Sequence, residues 1–278
     1  EIPGATVIAG FSAVTALPPE GPIDANRMVA KFRSSLEVLS VLFRQAVSLH
    51  GWTYTDDKTV STWIVPLEPN VTPSARGDRG DFVARPQVFV EYANNLAHAY
   101  GNADKKIRSL VRHLSVAVNP HVNSRHADRF LFMFSVLERV VGFAWDRDQT
   151  PQSPAVTTRA VIEHLDQLKK AVVVEDGENA SEIAERLGGL IDVVKRPSVR
   201  DKFESFFRVY PAMSQYRADL WPILGSKKKR GLKEVRHSLA HGRSAFVSLD
   251  VLAVAEWHLA LLLERVIFVL LDMTVPDA

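Results

Sequence analysis

Between Ala127 and Asp146 the chain is apolar at Phe130, Leu131, Met133, Phe134, Val136, Leu137, Val140, Val141 and Phe143. A helix apolar on most of its faces does not lie on a surface; it sits in the middle of other helices. A second apolar stretch, Val251 to Leu271, approaches the length of a membrane span. Glu256, His258, Glu264 and Arg265 interrupt it, so it reads as a buried helix of a water-facing bundle and no membrane partner is expected. Two such helices, both needing cover, dictate a mainly α, helical-bundle architecture.

The remaining chain divides around a polar stretch. Residues 5 to 14 read as a short strand, followed by a Pro-Pro and Gly-Pro loop. A helix fits Asp24 to Leu49, and Trp52 to Leu67 is rich in threonine, valine and aromatic residues, which predicts one or two strands. Glu68 to Arg85, with its Pro, Gly, Asp and Arg content, reads as a linker. The expected organisation is therefore residues 1–85, a small α/β or β-rich segment that is the remnant of a larger domain, and residues 86–278, a helical domain. Helices are predicted over Val88 to Val118 with a break near Gly101, from Ser153-Pro154 to Val173, from Ser181 to Val194 ahead of Pro197, and over Val199 to Val209. An irregular loop with Pro211, Pro222 and Gly225 follows, then a basic run, a short helix and the long closing helix.

Composition narrows the chemistry. The net charge is +2, so anion binding has to be local rather than spread over the surface. The chain has no cysteine, which excludes disulfides, thiolate zinc sites and cysteine nucleophiles and fits a reducing, cytoplasmic location. The start at Glu1 without methionine points to a processed or truncated amino terminus, and no signal peptide is visible. Walker loops, dinucleotide glycine fingerprints and Gly-x-Ser-x-Gly elbows are missing from the sequence.

One segment carries chemistry: Arg236-His237-Ser238-Leu239-Ala240-His241-Gly242-Arg243, after the run Lys227, Lys228, Lys229, Arg230. Cutting RNA without a metal requires a base for the ribose 2′-OH, a cation for the phosphate and an acid for the 5′-oxygen. Histidine suits the proton transfers because it titrates near neutrality, and arginine suits the phosphate because its fork stays charged and binds two oxygens. Lys227, Lys228, Lys229, Arg230, Lys233 and Arg243 would supply sequence-independent attraction to the RNA backbone. Between Lys227 and Arg243 only Glu234 opposes them.

Spacing alone decides nothing, since Arg-x4-His recurs at Arg108/His113 and Arg159/His164, and Arg44/His50 is one residue wider. The third pair differs in context: a second histidine follows the arginine, a glycine follows the last histidine, and His237 and His241 share a helix face. Arg236 lies off that face and has to reach around. The same residues also fit a solvated basic helix face whose histidines make ordinary hydrogen bonds.

The run Arg236-His237-…-His241-Gly242 resembles the signature of HEPN domains, in which an arginine and a polar residue precede a histidine on one helix. It is most similar to the Apea-like branch, where a long apolar helix follows the motif helix, as Val251 to Leu271 does here, and where an earlier helix has the form of Arg129-Phe130-Leu131-…-Val136-Leu137-Glu138. The resemblance covers Pro86 to Thr274. It implies a helical bundle that dimerises so that two motifs face each other across a groove, and metal-independent RNA cleavage leaving a 2′,3′-cyclic phosphate, with no cofactor, in toxin or anti-phage defence systems. Carried over by position, Arg236 binds the scissile phosphate, His241 transfers protons and His237 orients one or the other. Many HEPN domains are inactive, so the resemblance equally admits a non-catalytic module that binds RNA or a protein partner. A scaffold in which the Arg/His pair is incidental remains a third reading.

Smaller signals have plain explanations. Glu138, an acid inside an apolar helix, needs a partner such as Arg236 or an exposed edge position. His121, His126 and Asp128 lack a fourth ligand, so no metal is expected there. Arg76-Gly77-Asp78, Arg79-Gly80-Asp81 and the Asn70-Val71-Thr72 sequon fall in the polar linker.

Overall fold

The protein is seen in a computed structural model, which describes residues 36–42, 44, 51–55, 60–64, 88–119, 125–148, 156–174, 179–226, 229–242 and 247–276. The chain is mainly helical. A hairpin of two antiparallel strands, β1 (Gly51–Thr55) and β2 (Val60–Ile64), pairs Gly51 with Ile64 and Thr55 with Val60. It overlaps the stretch Trp52 to Leu67 read as one or two strands, starting one residue earlier at Gly51. The expected strand at 5 to 14, the linker and boundary between Glu68 and Arg85, the sequon and both Arg-Gly-Asp triplets lie outside the described residues.

Nine helices are described in full: α1 (Phe89–Asn102), α2 (Lys105–Val118), α3 (His126–Arg147), α4 (Val156–Val174), α5 (Ala180–Lys195), α6 (Val199–Val209), α7 (Ala212–Tyr216), α8 (Leu232–Ala240) and α9 (Leu249–Leu270). Residues 36–42 are helical as well. The break between α1 and α2 comes at Asp104, whose carboxylate accepts the backbone N–H groups of Lys106 and Ile107 at 2.8 and 2.9 Å. Such a cap satisfies donors that the first turn leaves orphaned. The irregular loop expected after Val209 contains the short helix α7.

The helices form two compact units, one within Glu1–Leu137 and Gln215–Ala278 and one within Glu138–Ser214. In the first, α9 is the organising element and packs on α2 and α8. From Leu259 to Leu270 no residue of α9 is exposed. The polar residues that interrupt its apolar run each have a defined partner. Glu256 takes Arg129 and His126, and Glu264 takes Arg44 at 3.2 Å. Arg265 grips Asp219 through its two terminal guanidinium nitrogens at 2.6 and 2.9 Å. Those ion pairs explain how a helix this apolar carries charge without leaving the core. Asn119 ties α2 to the 36–42 helix by donating to the Ser40 carbonyl at 2.9 Å.

Helix α3 is less enclosed than its composition predicts. Phe130, Met133, Phe134, Leu137 and Val140 are buried, but Phe132 is 45% exposed and Ser135 and Arg139 share its open edge. Glu138 is half-buried.

In the second unit α4 packs on α5, and a capping box starts α6: Ser198 Oγ accepts the Asp201 N–H at 3.1 Å while the Asp201 carboxylate accepts the Ser198 N–H at 2.9 Å. Arg208 of α6 donates to Asp148 at 2.7 and 3.1 Å. The Ser153-Pro154 start proposed for α4 lies outside the described residues.

Candidate active site

Helix α8 is short, and nine residues do not hold a helix by propensity alone. Its apolar stripe of Leu232 and Val235 is buried, and its first turn is clasped by the preceding loop. Leu232 and Lys233 donate their N–H groups to the carbonyls of Pro222 and Ile223, both at 2.9 Å. The Glu234 carboxylate turns back to accept the Gly231 N–H at 2.7 Å and the Gly225 N–H at 3.1 Å. The first of these is the reciprocal half of a capping box. The glycines are demanded by space rather than by dihedral angle: a Cβ on Gly231 would lie 2.5 Å from the Gly225 nitrogen, and one on Gly225 would lie 2.5 Å from Glu234 Oε2.

Trp221 fastens the other end of the loop. Its indole N–H donates to the Arg230 carbonyl at 2.6 Å, and its backbone N–H donates to His258 Nδ1 on α9 at 3.3 Å. His258 must be unprotonated at Nδ1 to accept, and burial pushes its pKa down accordingly, against the opposing pull of Asp219. Asp219 itself is held low by its hydrogen bond from Arg265.

The loop presents basic side chains. Lys229 and Arg230 are exposed, with Ser226 and Lys229 closing a turn through a 2.7 Å backbone bond. Lys227 and Lys228 fall between these two residues in sequence and lie outside the described residues, as does Arg243. The acid among these cations, Glu234, spends its carboxylate inside the clasp.

Lys233, His237 and His241 follow one another at four-residue intervals along the exposed face of α8 and its cap. The rings of His237 and His241 meet with their centres 4.3 Å apart at 58°. Arg236 is half-buried beside this row, not on it. Gly242 ends the helix with φ of 67°, a left-handed conformation that strains any residue bearing a Cβ.

The other Arg/His pairs separate from this one by what their side chains touch. His113 and His164 each donate a ring N–H to the carbonyl four residues back, at 2.6 and 2.9 Å. Arg108 donates to the Gly101 carbonyl, and Arg44 is committed to Glu264; His50 lies outside the described residues. Among the described residues neither His237 nor His241 gives its ring to a carbonyl, and both are exposed.

His126, which the sequence offered only as one of three ligands of a dismissed metal site, has its imidazole oriented by charge instead. His126 Nδ1 meets Glu256 Oε2 at 2.5 Å, and Arg129 pairs with the other carboxylate oxygen. Glu256 and Arg129 are 6% and 5% exposed, so the ion pair is buried. No group of three or more potential metal ligands occurs among the described residues, and no helix among them is long and apolar enough to cross a membrane. No protein-family model, curated protein or solved structure matches the chain.

Proposed function

We propose that this chain is a metal-independent endoribonuclease of HEPN type acting through Arg236, His241 and His237. The observation that carries the reading is the meeting of two exposed imidazoles, 4.3 Å apart, beside Arg236 at the end of a helix whose start is clasped under a basic loop. Arg236, one position before His237 and half-buried, would have to bring its guanidinium round to the phosphodiester that the imidazoles meet. In the reaction His241 takes the 2′-OH proton, the 2′-oxygen bonds to phosphorus, and the P–O5′ bond breaks. The 5′-oxygen takes a proton from solvent as it leaves, giving a 2′,3′-cyclic phosphate and a 5′-hydroxyl, and the protonated His241, exposed as it is, returns its proton to solvent. Arg236 neutralises the charge gathering on the phosphate oxygens, and His237 orients the phosphate or the His241 ring. Lys229, Arg230 and Lys233 attract the backbone without reading its sequence. A second copy of the chain would set two such motifs across a groove.

The test is incubation of the protein with mixed RNAs in EDTA beside Arg236→Ala and His241→Ala. Losing the proton-transfer group should slow cleavage by about 10²-fold or more. Cleavage that survives both substitutions refutes the reading. RNA binding without cleavage replaces it with a non-catalytic binding module.

A further inference from the structure

Nine histidines stand at positions 50, 98, 113, 121, 126, 164, 237, 241 and 258, and only His237 and His241 are four residues apart. That spacing places two imidazoles on one helix face, where a helix can hold a transition-metal ion between them. The observed geometry discriminates among ions. An ion bonded to an imidazole nitrogen at about 2.0 Å lies about 3.1 Å from that ring's centre. Rings with centres 4.3 Å apart therefore subtend roughly 90° at a shared ion, the cis angle of tetragonal or octahedral coordination. A tetrahedral ion would need ring centres about 5 Å apart. Both rings are exposed, so water has room at the remaining positions. The pair also sits at the carboxyl end of α8, where unsatisfied carbonyls concentrate partial negative charge and favour a cation. Lys233, one turn earlier on the same face, opposes this through solvent, which screens it.

We propose that His237 and His241 chelate one late first-row transition-metal dication of tetragonal preference, Cu²⁺ foremost. While bound, the ion withdraws both imidazoles from proton transfer, a consequence that rests on the ribonuclease reading; the binding itself does not. The full chain, stripped of metal, is titrated with Cu²⁺ alone and no RNA, followed by visible absorption and electron paramagnetic resonance.

The expected result is one ion per chain bound through two nitrogens. His237→Ala and His241→Ala should each weaken binding by about a hundredfold, the lower end of what joining two contacts into one event contributes. Arg236→Ala should bind Cu²⁺ as the unaltered chain does. A two-nitrogen signal of undiminished affinity in His241→Ala, or equal binding by His237→Ala and the unaltered chain, overturns the site. Because Arg236→Ala abolishes cleavage and not chelation, failure of one reading is told apart from failure of the other. Where RNA is cut, stoichiometric Cu²⁺ should stop cleavage and EDTA restore it. Undiminished cleavage at saturating Cu²⁺ overturns the inhibitory role.

Discussion

Replacing Glu234 by alanine tests how the motif helix is held. The Oε2 atom of this half-buried carboxylate accepts two backbone N–H groups, from Gly231 at 2.7 Å and Gly225 at 3.1 Å. A hydrogen bond to a charged group nets about 1.5–3 kcal/mol, and partial exposure argues for the lower end, so the two together contribute about 3 kcal/mol. For a protein of this size each kcal/mol moves Tm by roughly 2–4 °C, which predicts a loss of about 6–12 °C in thermal unfolding followed by circular dichroism. Glu234→Gln keeps an accepting oxygen without the charge and should lose about half as much, since charge-assisted bonds are about twice as strong as neutral ones. The loss should also be local. Amide hydrogen exchange at Gly225 and Gly231 should accelerate before that of α9, because the clasp opens first. A Tm within about 1 °C of the unaltered chain, or unchanged exchange at both glycines, would show that packing of Leu232 and Val235 holds α8 unaided.

Glu256→Ala leaves the Arg129 guanidinium buried without its carboxylate and should cost about 3–5 kcal/mol in urea unfolding, whereas Arg129→Met combined with Glu256→Leu should recover most of that loss. A double variant as unstable as the single one would contradict the ion-pair assignment. For His258, the folded-state pKa is lowered by burial, so the unfolded chain takes up its proton first as pH falls. Its contribution to stability is present above about pH 6.5 and lost below it. His258→Gln, whose amide oxygen accepts the Trp221 N–H at any pH, should flatten the stability profile between roughly pH 7 and 5. A slope identical to that of the unaltered chain would sink the assignment.

Much of the helical framework is readable from sequence, and the reasons are local. Val199–Val209 is delimited by a capping box on one side, and α1 and α2 are divided by the Asp104 cap close to the expected break at Gly101. Gly242 closes α8 because only glycine takes its φ without strain. Gly231-x-x-Glu234 has the spacing of a capping box, a signal that identifies Glu234 as more than a stray acid among cations. The open edge of α3 at Phe132, Ser135 and Arg139 was not readable, because an apolar composition says how much surface asks for cover and not how much receives it.

Sequence by itself settled that this chain makes helices, where several of them stop, and that Arg236, His237 and His241 are the residues worth testing. Those properties follow from periodicity and capping within a few residues of chain. Tertiary structure decided which imidazoles lie open, leaving His237 and His241 exposed while His113 is half-buried and gives its ring to the Ser109 carbonyl. It also decided the partners of the buried charges: Glu256 meets residues 127 and 130 positions away, and His258 meets Trp221 across 37. A buried charge chooses its partner by which helix faces come together, and that choice is made in space, not along the chain.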